Sequence, residues 1–248
     1  MADLFLSAKR KLANARDLIA TLDAEIQAFN ATEPHERMVE TDPDGLIQEH
    51  TVRLTQPLPD SLADLTQGAA AALRAALDQA VFAASKAAGS RRLMDTCFPI
   101  ADSAEQLDKV MDKKCQGVPP EIAAMIHGLA PYKGGNDLIW ALAAIAGVEK
   151  YALIVPLGSV DSGLTFINNK TAPKVRWDAR KWEIELGSFP IHGKFQPRIS
   201  IFFSAAFGAI ETLENCPVSP VLKAMTAEVE RILGVAEEQS SRLGLATQ

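Results

Sequence analysis

The sequence predicts an α+β fold, a predominantly helical bundle packed on a small antiparallel sheet. Three observations predict it. Apolar residues recur every three or four positions over two long stretches in the first ninety residues. After Tyr151 the pattern changes to period two, in short runs separated by turn residues. A helical pattern then returns near the end. Helices and strands grouped in this way, rather than alternating, belong to layered α+β packing.

Residues 3–30 read as one helix, because Phe5, Ala8, Leu12, Ala15, Ile19, Leu22, Ile26 and Phe29 form a heptad seam. Such a seam can close on a second chain or on other helices of the same bundle, and the helices that follow favour the second. A hairpin is expected over 36–56, turning at Asp42-Pro43-Asp44-Gly45 and ending before Pro57 and Pro59. Residues 61–88 form an alanine-rich helix with Leu62, Leu65, Leu73 and Leu77 on its stripe. Shorter helices are expected after Ser103, with Gln106 completing a capping box, after Pro119-Pro120, and after Asn136-Asp137. The last of these is apolar all round over 138–146 and is expected to be the most buried. Strands are expected at 152–157, 164–168, 174–178, 181–187 and 198–204, and a final helix over about 219–240 with a frayed tail. The chain 1–248 is read as a single domain: a helical part, about 1–151, that includes the hairpin, a β-rich part, about 152–208, and the last helix.

Hydrophobic residues make up 48% and charged residues 23%, enough for a sizeable core, and the net charge is −6. An acidic balance counts against a nucleic-acid partner, because phosphate contacts need Lys and Arg. The longest apolar run, 138–146, is shorter than the roughly 20 residues that span a bilayer. The first twelve residues lack the basic start of a secretion signal, so a cytoplasmic location is expected. The partner expected is a second copy of the chain, through helix 3–30; no membrane partner is expected.

Cys97, Cys115 and Cys216 form no CxxC and read as free or buried thiols. His35, His50, His127 and His192 lie too far apart for a local metal motif, and no metal or other cofactor is expected. His127 reads as a residue at the edge of the core. Lys133-Gly134-Gly135-Asn136 precedes a helix without matching a phosphate-loop pattern and reads as a capped loop. Residues 170–198 mix basic and aromatic side chains. Their alternation puts Trp182, Ile184 and Leu186 on one face, so the aromatics are expected in the core and the charges in water.

The candidate site centres on Arg74 and Asp78, four apart and hence neighbours on one helix face. Glu149-Lys150-Tyr151 ends the most apolar helix. Charge at the edge of a buried helix is costly unless paired, so Arg74 is expected to meet Glu149 and Asp78 to meet Lys150.

These residues resemble a family of uncharacterised bacterial proteins. The landmarks are Leu73-Arg74, Ala76-Leu77-Asp78 and Val81, then Phe98-Pro99-Ile100, Leu129, Pro131 and Tyr132, and finally Glu149-Lys150. They span about residues 60–157. In that family the helix reads Arg-x-x-x-Asp-His and the later motif Asp-Lys-His, and the first is similar to the HEPN superfamily, which includes RNases. Here Gln79 and Tyr151 stand at the histidine positions and Glu149 at the aspartate. Neutral Gln79 cannot move a proton as histidine can. The resemblance therefore implies a non-catalytic binding or interaction protein using Arg74, Asp78, Gln79, Tyr132, Glu149 and Lys150, with no catalytic residue. Two alternatives stand beside it: an RNA- or nucleotide-processing enzyme diverged at its histidines, and a small-molecule binder with a pocket between bundle and sheet.

Overall fold

Helix α1 (Leu6–Ala31) buries the whole seam from Ala8 to Phe29, and it does so within the chain, against α2 (Ser61–Ala87) and the last helix. The heptad seam is thus covered by the protein itself. The structure, a computed structural model, describes residues 3–91, 93–162, 176–191 and 199–245. The fold is α+β, as the sequence predicts, with helices dominant.

The centre is α2. Thirteen of its 27 residues are buried, most of them alanines that let α1 and its other neighbours approach closely. The helices α3 (Ala104–Lys114), α4 (Pro120–Gly128) and α5 (Asp137–Gly147) follow. Ser103 and Pro119 cap α3 and α4 as the sequence suggests, although the Ser103 side chain makes no capping hydrogen bond to the helix backbone. The apolar helix α5 is not the most buried: it buries four of eleven residues, and Ala143 and Ala146 face solvent. Being apolar all round is not enough to centre it, because small alanines cost little when exposed.

The short helix α6 (Lys150–Leu153) occupies residues expected to begin a strand, and the strand itself starts after it. Among the described residues there are two antiparallel sheets rather than one. The four-stranded sheet runs β1 (His35–Thr41), β2 (Ile47–Leu54), β5 (Glu183–Pro190), β4 (Arg176–Asp178), and β3 (Ile154–Ser162) pairs with β6 (Ile199–Phe207). Strands β1 (His35–Thr41) and β2 (Ile47–Leu54) form the expected hairpin. Its turn is set by Asp42, whose Oδ1 accepts from the Leu46 and Ile47 N–H groups, and by Gly45 at φ +69°. The hairpin belongs with the β-rich part, since β2 also pairs with β5 (Glu183–Pro190), with a register shift between His50 and Thr51. Strands β3 (Ile154–Ser162) and β6 (Ile199–Phe207) are longer than expected, and of the 174–178 strand the structure describes β4 (Arg176–Asp178). The expected 164–168 strand lies outside the described residues.

The two sheets meet at Gly158. A Cβ there would lie 2.6 Å from Trp177 and 2.8 Å from Ile184, so the close approach needs glycine. Val52, Leu54, Ile184, Leu186 and Phe203 form a small core at this crossing, joined by Phe29 of α1. Asn30, at the end of α1, grips β6 as a strand would: its Nδ2 donates to the Phe203 carbonyl at 2.7 Å and its Oδ1 accepts the Phe203 N–H at 2.8 Å. Helix α7 (Val218–Arg242) closes the bundle. It does not fray at Ser240, which is fully buried. Among the described residues, no helix is long and apolar enough to cross a membrane.

Candidate functional site

Arg74 and Asp78 share one face of α2 and are joined at 3.3 Å. Their other partner is a peptide backbone. Arg74 Nη2 donates to the Phe98 carbonyl at 2.6 Å, and Asp78 Oδ1 accepts the Phe98 N–H at 2.9 Å. Both hydrogen-bonding groups of one buried residue are thus satisfied by one ion pair. The clamp fixes a connecting segment. Cys97 N–H donates to the Lys114 carbonyl at 3.2 Å, and Ala101 N–H donates to the Pro131 carbonyl at 3.0 Å, beside a parallel bridge from Ala101 to Tyr132.

Tyr132 meets the clamped segment through this backbone bridge, whereas Gln79, Glu149 and Lys150 do not join the cluster. Gln79 turns to α1, where its Oε1 accepts from Ser7 at 3.1 Å. Lys150 pairs with Asp64, near the start of α2. Asp64 precedes Arg74 by ten residues, about 15 Å along a helix. Glu149 caps α6 and is exposed. The expected pairing of Arg74 with Glu149 and of Asp78 with Lys150 is therefore overturned. The reason is local: Lys150 and Asp64 are both more than half exposed, so no desolvation cost drove them inward.

A groove of about 560 Å³ opens where the start of α2 meets the turn between β4 and β5. Pro57, Pro59 and Ile154 line it, as do Asp64, Lys150 and Trp182. Lys150 thus belongs to a different site from Arg74. Trp182, expected beside Ile184 and Leu186 in the core, is instead exposed at the groove. Its backbone is left-handed, φ +57°, a genuine outlier for a bulky residue. Three hydrogen bonds place it. Asp178 Oδ1 accepts from the Arg180 and Lys181 N–H groups, forming an Asx turn, and the Trp182 carbonyl accepts from Leu54 at 2.9 Å. The bond from Arg180, then that from Lys181, holds the Asp178 carboxyl below its usual range. The sequence signal was the Asp-Ala-Arg-Lys turn just before Trp182, which breaks strand alternation at that residue.

The outer face of the four-stranded sheet is polar. Arg53 donates to Glu183 through Nε at 2.9 Å and Nη2 at 2.6 Å. His50 is nearly buried, and burial first, then the Arg37 charge, lowers its pKa. Arg37 Nη2 lies 2.8 Å from His50 Nδ1, which fits a neutral ring accepting at Nδ1. His127 is exposed, 3.3 Å from Asp108, rather than at the core edge. The 133–136 loop is a cap, with Asn136 Oδ1 accepting from Ile139 at 3.2 Å. In the basic stretch, Arg176, Arg180 and Lys181 face solvent, while Lys170, Lys174, Lys194, Phe195 and Arg198 lie outside the described residues. Among the described residues, no group of three or more His, Cys, Asp or Glu side chains could hold a metal.

Compared with known proteins, the chain matches no family model, no curated protein and no solved structure.

Proposed function

We propose that this chain is a non-catalytic binding protein that takes a small molecule in the groove between the start of α2 and the β4–β5 turn. The observation that carries the reading is Trp182, an indole held at the groove by a left-handed backbone. Such a conformation costs on the order of 1–3 kcal/mol and persists where surrounding bonds enforce it, most often at sites of function. The groove volume of about 560 Å³ falls in the range of roughly 300–1,000 Å³ typical of ligand sites. Its make-up, apolar prolines and Ile154 with a few polar groups from Asp64 and Lys150, is that of a site giving both affinity and orientation.

The non-catalytic half of the reading draws support from α2. The Arg74 and Asp78 side chains are engaged with the Phe98 backbone, and Gln79 bonds to Ser7 and carries a neutral amide that cannot serve as an acid–base group.

The test is a thermal-shift screen of small metabolites run in parallel on the native chain and on Trp182→Ala. A true ligand raises the native Tm in a concentration-dependent way, by about 2.7 kcal/mol of stability at a hundred times its Kd, and leaves Trp182→Ala unmoved. If no compound discriminates the two, the groove is not the site. Cleavage of RNA by the pure protein, lost in Arg74→Ala, would replace this reading with the nuclease one.

A further inference from the structure

We infer that Cys97 and Cys115 close a reversible disulfide that locks the segment gripped by Arg74 and Asp78. The two cysteines are eighteen residues apart in sequence, and the fold brings them together. Cys97 N–H donates to the carbonyl of Lys114, the residue bonded to Cys115, at 3.2 Å. A peptide hydrogen bond of that kind puts Cα97 and Cα115 about 5–7 Å apart, overlapping the ~4.4–6.8 Å over which disulfides are built. A second observation brings the side chains together: the Cys115 thiol is pushed up to about 12, chiefly by burial and then by its electrostatic interaction with Cys97. Neither cysteine is in a disulfide, and both residues are only partly buried.

The flanking structure holds the pair in register. Phe98, next to Cys97, is tied to α2 through both its backbone groups. Cys115 is the C-cap of α3, its N–H bonded to the Met111 carbonyl at 2.8 Å. A bond between the sulfurs would fasten the end of α3 to the clamp.

A low-molecular-weight disulfide such as oxidised glutathione supplies the oxidising equivalents. The Cys97 thiol loses its proton to solvent, and its thiolate attacks one glutathione sulfur. A mixed disulfide forms and one glutathione thiolate leaves. The Cys115 thiol then loses its proton, attacks the Cys97 sulfur and expels the second glutathione thiolate. The two protons end on the two glutathiones, so two protein thiols and one disulfide become one protein disulfide and two thiols. Cys97 acts first because the raised Cys115 thiol holds almost no thiolate near neutral pH.

The experiment treats the folded full-length chain with oxidised glutathione and follows intact mass, maleimide-reactive thiols and mapped peptides. The native chain and Cys216→Ser should both form the 97–115 bond, leaving the native chain one reactive thiol of its three. Cys115→Ser should stop at a glutathione adduct on Cys97, and Cys97→Ser should give neither product. The oxidised native chain should resist urea better, its unfolding equilibrium shifted about 100-fold, the effect of closing a loop of this size. Dithiothreitol should reverse the change. Three intact thiols under conditions that oxidise a reference dithiol peptide would overturn the inference. So would a bond that maps to Cys216 or to a second chain.

Discussion

Replacing Asp78 by alanine should destabilise the protein by about 2–3.5 kcal/mol. The dominant loss is the Phe98 N–H, which gives up a carboxylate acceptor at 2.9 Å in a residue only 1% exposed. Hydrogen bonds to charged groups contribute about 1.5–3 kcal/mol, and an orphaned buried donor costs as much. The Arg74 pairing adds little. Its side chain is 25% exposed and that of Asp78 32%, so solvent screens the pair and leaves about 0.3–0.5 kcal/mol. In a chain of this length each kcal/mol lowers Tm by about 2–4 °C. The expected fall is therefore about 4–14 °C, with a matching drop in the urea midpoint at constant slope. Asp78→Asn separates acceptor from charge. Its amide oxygen can still accept from Phe98, so it should lose only about 1 kcal/mol. Arg74→Ala should fall between the two, and the double variant should lose less than the sum, by about 0.5–1 kcal/mol. An Asp78→Ala protein within 0.5 kcal/mol of native would show that the clamp holds nothing. Equal losses in Asp78→Ala and Asp78→Asn would show that charge, not the hydrogen bond, matters.

Leu77→Ala, at the fully buried centre of α2, should cost about 2–5 kcal/mol by urea melt, against under 0.5 kcal/mol for the exposed Leu46→Ala. Trp182→Gly should leave stability within about 1 kcal/mol of native or raise it, because glycine takes φ +57° without strain, while any ligand of the groove is lost; a large destabilisation would mean the indole is a packing residue. The depressed pKa of His50 predicts a pH dependence. Its unfolded form binds a proton near pH 6.5 while the folded ring stays neutral, so its contribution is complete above that pH and is lost as pH falls through the lower folded value. Urea midpoints at pH 7.5 and 5 should converge for His50→Gln relative to native; an unchanged pH slope would sink the assignment.

The long elements were legible because their signal is periodic and their burial one-sided. Every third or fourth residue of α1 from Ala8 to Phe29 is buried, so counting apolar spacings was enough. The hairpin was legible because Asp42 and Gly45 act within their own turn. What failed depended on groups that carry no sequence identity. Arg74 and Asp78 were recognised as a pair, but their shared partner is the Phe98 peptide, and any residue type offers the same N–H and carbonyl. Trp182 departs from strand alternation because it follows a turn whose end is fixed by backbone N–H groups bonded to Asp178. The two sheets were merged because their separation depends on Gly158 admitting Trp177 and Ile184, a contact between strands that are distant in sequence.

The expectation that two charged helix edges would meet rested on desolvation, and desolvation is a cost only for groups the fold buries. Lys150 is 60% exposed and Asp64 55%, so their ion pair is worth about 0–1 kcal/mol and could not have directed helix packing. The apolar surface did that instead, through the alanines of α2. The landmarks of the resemblance fall on both sides of this distinction. Arg74, Asp78, Phe98, Pro131 and Tyr132 lie along one line of backbone bonds that braces the loops over α2, whereas Lys150 lies on the open groove with Trp182. The proposed binding is therefore to be tested at Trp182 and the groove rather than at Arg74 and Asp78, whose side chains are engaged with the Phe98 backbone.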